Sequence, residues 1–138
     1  MIMTLFSCGE AENEKINWEH NVEAAVEKSQ QKPILVDFMA EWCPPCQQME
    51  KTTFSDQEVI DKADKFITVR IDVDEQEETA IKYNGNASKY GGVGIPNILF
   101  LDSEGQKIRH IIGYHNAREL TAVMDSVLTG KYEKDDVN

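Results

Sequence analysis

The apolar run Ile34-Leu35-Val36-Asp37-Phe38-Met39 leads through Ala40 into Glu41-Trp42-Cys43-Pro44-Pro45-Cys46. A short apolar run with a single acid inside it has the pattern of a central strand buried on both faces. Consecutive prolines suit the first turn of a helix, where the amides have no intrahelical partners. The chain is therefore expected to pass from a buried strand into a helix at the cysteines, and the helix to run to about Thr52.

In that arrangement Cys43 and Cys46 stand at i and i+3 on one side of the first turn, within the short Cα separation that a disulfide requires. Unpaired amides and the positive helix end favour a thiolate on the first sulfur, so Cys43 is the expected nucleophile and Cys46 its resolving partner. Other uses of the pair fit less well. A structural zinc needs four ligands, yet the chain has three cysteines, and His20, His110 and His115 are scattered. No metal is expected. Covalent haem would want a histidine after Cys46, where Gln47 stands. Inert buried thiols are not expected in a turn built from an aromatic and two prolines, which reads as exposed.

At 138 residues the chain is long enough for one domain whose core needs no disulfide staples. A formal net charge of −11 opposes binding to phosphate backbones or anionic membranes, since such affinity rests on Lys and Arg. Nucleic acid is excluded as a partner. No stretch has the length of a transmembrane helix. Leu5-Phe6-Ser7-Cys8 is similar to the end of a bacterial lipoprotein signal, which would attach a lipid to Cys8, although the positive start and long apolar run of such a signal are missing. The alternative is a terminus with an incidental cysteine. The expected organisation is a flexible segment over 1–16, one domain over 17–130 and a polar tail over 131–138.

Within the domain, Asn17 is expected to cap a helix that buries Trp18, Val22, Ala25 and Val26. Ser55 to Glu58 reads as a capping box opening a helix with Val59, Ile60 and Ala63 inward. Residues 66–73 read as a strand rich in β-branched residues, and 75–83 as a weak helix. Residues 97–101 and 107–112 flank a polar turn as an antiparallel hairpin. Asn116 and Glu119 cap a closing helix whose apolar face is Leu120, Val123, Met124, Val127 and Leu128. The order implies an α/β fold, a central mixed β-sheet flanked by helices on both faces.

Val36 to Cys46, followed far downstream by Lys89-Tyr90-Gly91 and Gly94-Ile95-Pro96, resembles the thioredoxin superfamily across about residues 17 to 130. Lys32-Pro33, the Glu41-Trp42-Cys43 turn and Met49 to Asp56 resemble most closely the C-terminal, extracytoplasmic thioredoxin-like domain of DsbD-type thiol:disulfide interchange proteins. The resemblance implies a thioredoxin fold and a protein disulfide oxidoreductase working through Cys43 and Cys46, with no cofactor. Its partners would be protein thiols and disulfides and an upstream thiol reductant. It implies a monomer on the extracytoplasmic side, periplasmic or lipid-anchored. Reduction is the favoured direction.

Two other uses stay open. The Pro44-Pro45 dipeptide is similar to that of thioredoxin-like proteins of cytochrome c maturation, which points to a dedicated thiol transfer protein for cytochrome c or metal-site assembly. A non-catalytic binding module on the same fold is the second.

By resemblance Asp37 is the buried acid, and burial should raise its pKa towards neutrality and suit it to exchanging protons with Cys46. Arg70 aligns with a strand position that holds a cation near that acid in thioredoxin; it pairs with Asp37 or stays a surface charge. Glu50, one helical turn after Cys46, resembles a glutamate near the resolving cysteine and would supply a second carboxylate. Pro96 would be the family's cis-proline, leaving the Ile95 backbone to bind an extended substrate by strand addition. Trp42, Pro44 and Pro45 would form the docking rim. The stretch 75–86 is either a partner-recognition elaboration or a solvated loop.

Overall fold

The structure, a computed structural model, describes residues 15–132. The candidate lipid site Cys8 lies outside the described residues.

Strand β1 (Ile34–Met39) is apolar throughout because both of its faces are covered. Ile34, Val36 and Phe38 enter one core with Val69, Ile71, Leu99 and Leu101. Leu35 enters the other with Met49, Phe54, Phe100 and Met124. Side chains of this size contribute about 1.5–3 kcal/mol each when fully buried. Period-2 alternation then places Asp37 on the Leu35 face, among apolar side chains.

Strand β2 (Ile67–Asp72) pairs in parallel with β1, and β3 (Asn97–Leu101) pairs antiparallel on its other side. With β4 (Lys107–Ile112) beyond β3, the sheet order is β2-β1-β3-β4. Parallel neighbours need a crossover, which α2 (Pro44–Thr52) and α3 (Gln57–Ala63) supply. The β3–β4 hairpin turns on Asp102, whose carboxylate accepts from the amides of Glu104 and Gln106 at 2.9 Å each. Helices α1 (Val22–Glu27) and α4 (Glu77–Lys82) bury Val22, Ala25 and Ala80 in the first core. Helices α3 and α5 (Ala117–Leu128) bury Val59, Leu120 and Met124 in the second. The mixed sheet with helices on both faces is the architecture expected, including both hairpin strands and the Asn116 cap, which accepts from the Glu119 amide at 2.9 Å.

Two local expectations are corrected. Asn17 does not cap α1; Asn21 does, accepting from the Ala24 amide at 2.8 Å. Residues 17–20 extend alongside β2 instead: the Glu19 amide donates to the Thr68 carbonyl and the Arg70 amide to the Glu19 carbonyl, both at 2.8 Å. Sheet pairing outcompetes a longer helix, and it carries Trp18 to the opposite face from Val22. The cap of α3 is Asp56 rather than Ser55, because the Asp56 carboxylate reaches the Glu58 and Val59 amides while the Ser55 hydroxyl donates back to Lys51. The weak helix expected over 75–83 forms as α4, which buries Ala80, and Lys82 and Tyr83 donate to Glu23 of α1 at 2.8 and 3.2 Å.

Candidate active site

Cys43 and Cys46 are joined as a disulfide, with Cα atoms 5.2 Å apart. Cys43 is the N-cap of α2 and Pro44 and Pro45 open its first turn, so the helix begins where the sequence places it. The Cys46 amide points at Cys43 Sγ at 3.3 Å. That donor is aimed where negative charge develops when Cys43 becomes a thiolate. One expectation changes here. Trp42 and Pro44 are exposed, but Cys43 is only 2% exposed and Cys46 6%, so the turn is a rim and the sulfurs lie just beneath it.

The loop before β3 supplies the cover. The Ile95–Pro96 peptide is cis, as the family resemblance implies, and Pro96 is buried. Cys43 Sγ lies 3.9 Å from the Ile95 carbonyl oxygen; a disulfide sulfur carries no proton, so this is a packing contact. No backbone partner among the described residues takes the Ile95 N–H or carbonyl.

Behind the disulfide, Asp37, Cys46, Glu50 and Arg70 line one cavity of about 300 Å³, with Glu41, Gln47 and Lys51 around it. β1 and β2 run in register with Asp37 opposite Arg70. Arg70 Nε donates to Asp37 Oδ2 at 3.0 Å and its terminal nitrogen to Glu50 Oε2 at 2.5 Å. Arg70 therefore pairs with Asp37 and is no free surface charge. Asp37 Oδ1 is buried without a hydrogen-bond partner. Burial raises the Asp37 carboxyl to about 6; the Arg70 charge and hydrogen bond oppose this, and the Glu50 charge adds to it. Desolvation wins because one guanidinium, shared with Glu50, cannot replace the water lost around both oxygens. Asp37 is thus poised to take or give a proton near neutral pH.

The rim contains residues that sequence reasoning did not assign to the site. Trp42 Nε1 donates to Asp74 Oδ2 at 2.7 Å, and the Tyr90 hydroxyl donates to Asp74 Oδ1 at 2.6 Å. Those two bonds hold the Asp74 carboxyl below its ordinary range. Lys89 Nζ sits 3.6 Å from the Trp42 ring centroid. The available signal was position: Asp74 follows β2 at the same sheet edge as the end of β1, where sites of open α/β sheets gather. Trp42 itself is 43% exposed, an anchored but accessible surface.

Residues 20–128 match the thioredoxin-like domain family. The thiol:disulfide interchange protein DsbD of Pseudoalteromonas atlantica is 31% identical over 106 residues, which is 75% of this chain and 17% of that protein. The DsbD of Yersinia pestis is 32% identical over 108 residues, 76% of this chain and 16% of that protein. The chain thus spans about a sixth of the length of these curated relatives. Among solved structures, a mutant thioredoxin from Halobacterium salinarum superposes with a TM-score of 0.57 at 26% identity, covering 83% of this chain and 90% of that one. The reduced C-terminal domain of Neisseria meningitidis DsbD superposes with a TM-score of 0.60 at 24% identity, covering 76% and 89%, a likeness of fold.

Proposed function

The chain belongs to the thioredoxin-like family, and we propose that it is a thiol-disulfide oxidoreductase that reduces disulfides in protein substrates on the extracytoplasmic side. The observation that carries this reading is the shared cavity: the resolving Cys46 and the buried acid Asp37 open onto the same space behind Cys43. A proton leaving Cys46 has a base to go to.

The reaction starts from the dithiol. The Cys43 thiolate attacks a substrate disulfide; the substrate S–S bond breaks, one substrate sulfur leaves as thiolate, and the other is joined to Cys43. Cys46 gives its proton towards Asp37 and attacks Cys43, releasing the second substrate sulfur and closing the Cys43–Cys46 disulfide. Two electrons pass from the dithiol to the substrate. An upstream thiol reductant returns the chain to the dithiol by the same exchange in reverse. Asp37 is the proton acceptor, and Glu50 tunes it through their shared Arg70. The substrate lies extended along Ile95 and Pro96 by strand addition, with Trp42, Pro44 and Pro45 against its side chains.

Residues 17–130 act as one monomeric domain, and a lipid on Cys8 is the attachment we propose to a membrane. The relatives named for thiol:disulfide interchange support the exchange with protein partners. The double proline between the sulfurs favours a second reading, a dedicated thiol transfer protein for cytochrome c or metal-site maturation, with the same chemistry and a narrower substrate.

The test is trapping. Cys46→Ser should accumulate mixed disulfides through Cys43, and Cys43→Ser should accumulate none. Absence of any Cys43-linked adduct would overturn the mechanism. Competence for exchange without reduction of insulin would move the assignment to the dedicated transfer protein. A reduction potential near about −120 mV, the strong-oxidant range, in place of about −270 mV, would reverse the direction.

A further inference from the structure

The Arg70 guanidinium is held on three sides, and two of them are the carboxylates of Asp37 and Glu50. The third is aromatic. The Trp18 ring centroid lies 4.2 Å from Arg70 Cζ, and the Phe54 centroid 5.4 Å away. Trp18 is itself locked edge-on against Phe54, with centroids 5.1 Å apart and planes at 89°. Its backbone is fixed by the extended segment beside β2: the Thr68 hydroxyl donates to the Asn17 carbonyl at 2.9 Å, and Glu19 pairs on both sides of Val69. A second cavity, of about 450 Å³, lies against Trp18, Phe54 and Glu50. Arg70 and Glu50 border the cavity that holds Cys46 and Asp37.

We propose that Trp18 is a positioning residue for the proton step at Cys46: its ring holds the Arg70 guanidinium between the carboxyls of Asp37 and Glu50. The proposal rests on the reading of Asp37 as proton acceptor. A cation confined between two acids and an aromatic face keeps its distance to Asp37 fixed. With the face gone, the guanidinium can follow the exposed Glu50 outward, and its pull on Asp37 weakens.

The groups facing Asp37 come from β2, α2, β3 and the turn after β1. β2 gives Arg70; α2 gives Cys46, Glu50 and Lys51; the turn after β1 gives Glu41. β3 places apolar Ile98 opposite, with nothing to titrate. Arg70 is the cation bonded to Asp37, so a change in its position moves the balance upward. Trp18 lines the neighbouring cavity and not the Asp37 one, so replacing it with another apolar side chain leaves the burial of Asp37 in place.

Trp18→Leu keeps an apolar side chain and removes the aromatic face. The Asp37 carboxyl, followed by NMR titration in the full chain, is expected to titrate higher by about half a unit to one unit. Trp18→Phe, which restores an aromatic face, should return most of the shift. In an Arg70→Met background Trp18→Leu should add nothing, since the cation it steers is gone. An Asp37 titration equal to wild type in Trp18→Leu overturns the proposal, and so does an equal shift in the Arg70→Met background. If Trp18→Leu does not fold, Trp18→Met, also apolar and without a ring, is read in its place, and an Asp37 titration equal to wild type there overturns the proposal. Rates of mixed-disulfide resolution separate the two readings: a shifted Asp37 titration with an unmoved pH–rate profile leaves Trp18 holding Arg70 but overturns Asp37 as acceptor and with it the role of Trp18 in the proton step.

Discussion

Arg70 stands directly across the parallel β1–β2 ladder from Asp37, and its Nε donates to one carboxylate oxygen at 3.0 Å while the other oxygen is buried without a partner. The acid is therefore half-compensated. It is charged often enough to act as a base near neutral pH, and buried deeply enough that the charge costs stability.

That cost has a direction with pH. Asp37 holds its proton to about 6 in the folded chain, against about 4 for an unfolded aspartate. The folded state binds more protons between those values, so the contribution to stability is full below about pH 4 and is lost as pH rises through 6; the loss is on the order of 3 kcal/mol. Asp37→Asn should remove this slope. Urea midpoints of the oxidised protein at pH 4.5 and 7.5 check it: relative to wild type, the variant gains at the higher pH. The same variant should resolve mixed disulfides at pH 7 more slowly by about 10²-fold, read by single-turnover quenching.

The rim gives a prediction that leaves the sulfurs alone. Asp74 accepts from both Trp42 and Tyr90, so Asp74→Ala frees two aromatic side chains at the mouth of the site. Binding of an extended peptide disulfide should weaken about threefold to tenfold, as for loss of an ordered aromatic contact. Reaction of the dithiol with a small disulfide, which does not reach the rim, should stay as it is. Steady-state kinetics with the two substrates side by side distinguish a docking role from a chemical one; an equal loss on both would place Asp74 nearer the sulfurs.

Gly85 ties the stretch before the cis-proline to the strand that carries Asp37. A Cβ built there would lie 2.3 Å from the Phe38 ring, and Phe38 is wholly buried in β1. The ring has no open side to move into. Gly85→Ala should destabilise the fold by about 1–3 kcal/mol, the usual range for overpacking, visible as a lower urea midpoint with an unchanged slope.

Much of the site was legible because its parts are local. The Cys43 cap, the two prolines and the strand before them are adjacent in sequence, and each obeys a short-range rule: missing amide partners, period-2 burial, i to i+3 spacing. The hairpin over 97–112 and the Asn116 cap were legible for the same reason. The corrections fall where a short-range rule met a long-range competitor. Asn17 is a good cap residue, but pairing with Thr68 and Arg70 took the backbone of 17–20. The Cys43 turn has exposed composition, yet the Ile95–Pro96 loop packs over its sulfurs.

By itself the sequence determined which atoms can exchange electrons and how the chain reaches them, since a buried strand followed by Cys-Pro-Pro-Cys continues most readily into a helix capped at the first cysteine. It also determined that an acid would be buried six residues earlier. Only the tertiary structure decided what that acid feels. Arg70, Glu50 and Trp18 come from three separate elements, and Asp74 and Lys89 reach Trp42 from two more, with Tyr90 held on Asp74. Coulomb energies and cation–π contacts depend on distances of a few ångströms across the sheet, and no spacing along the chain encodes those.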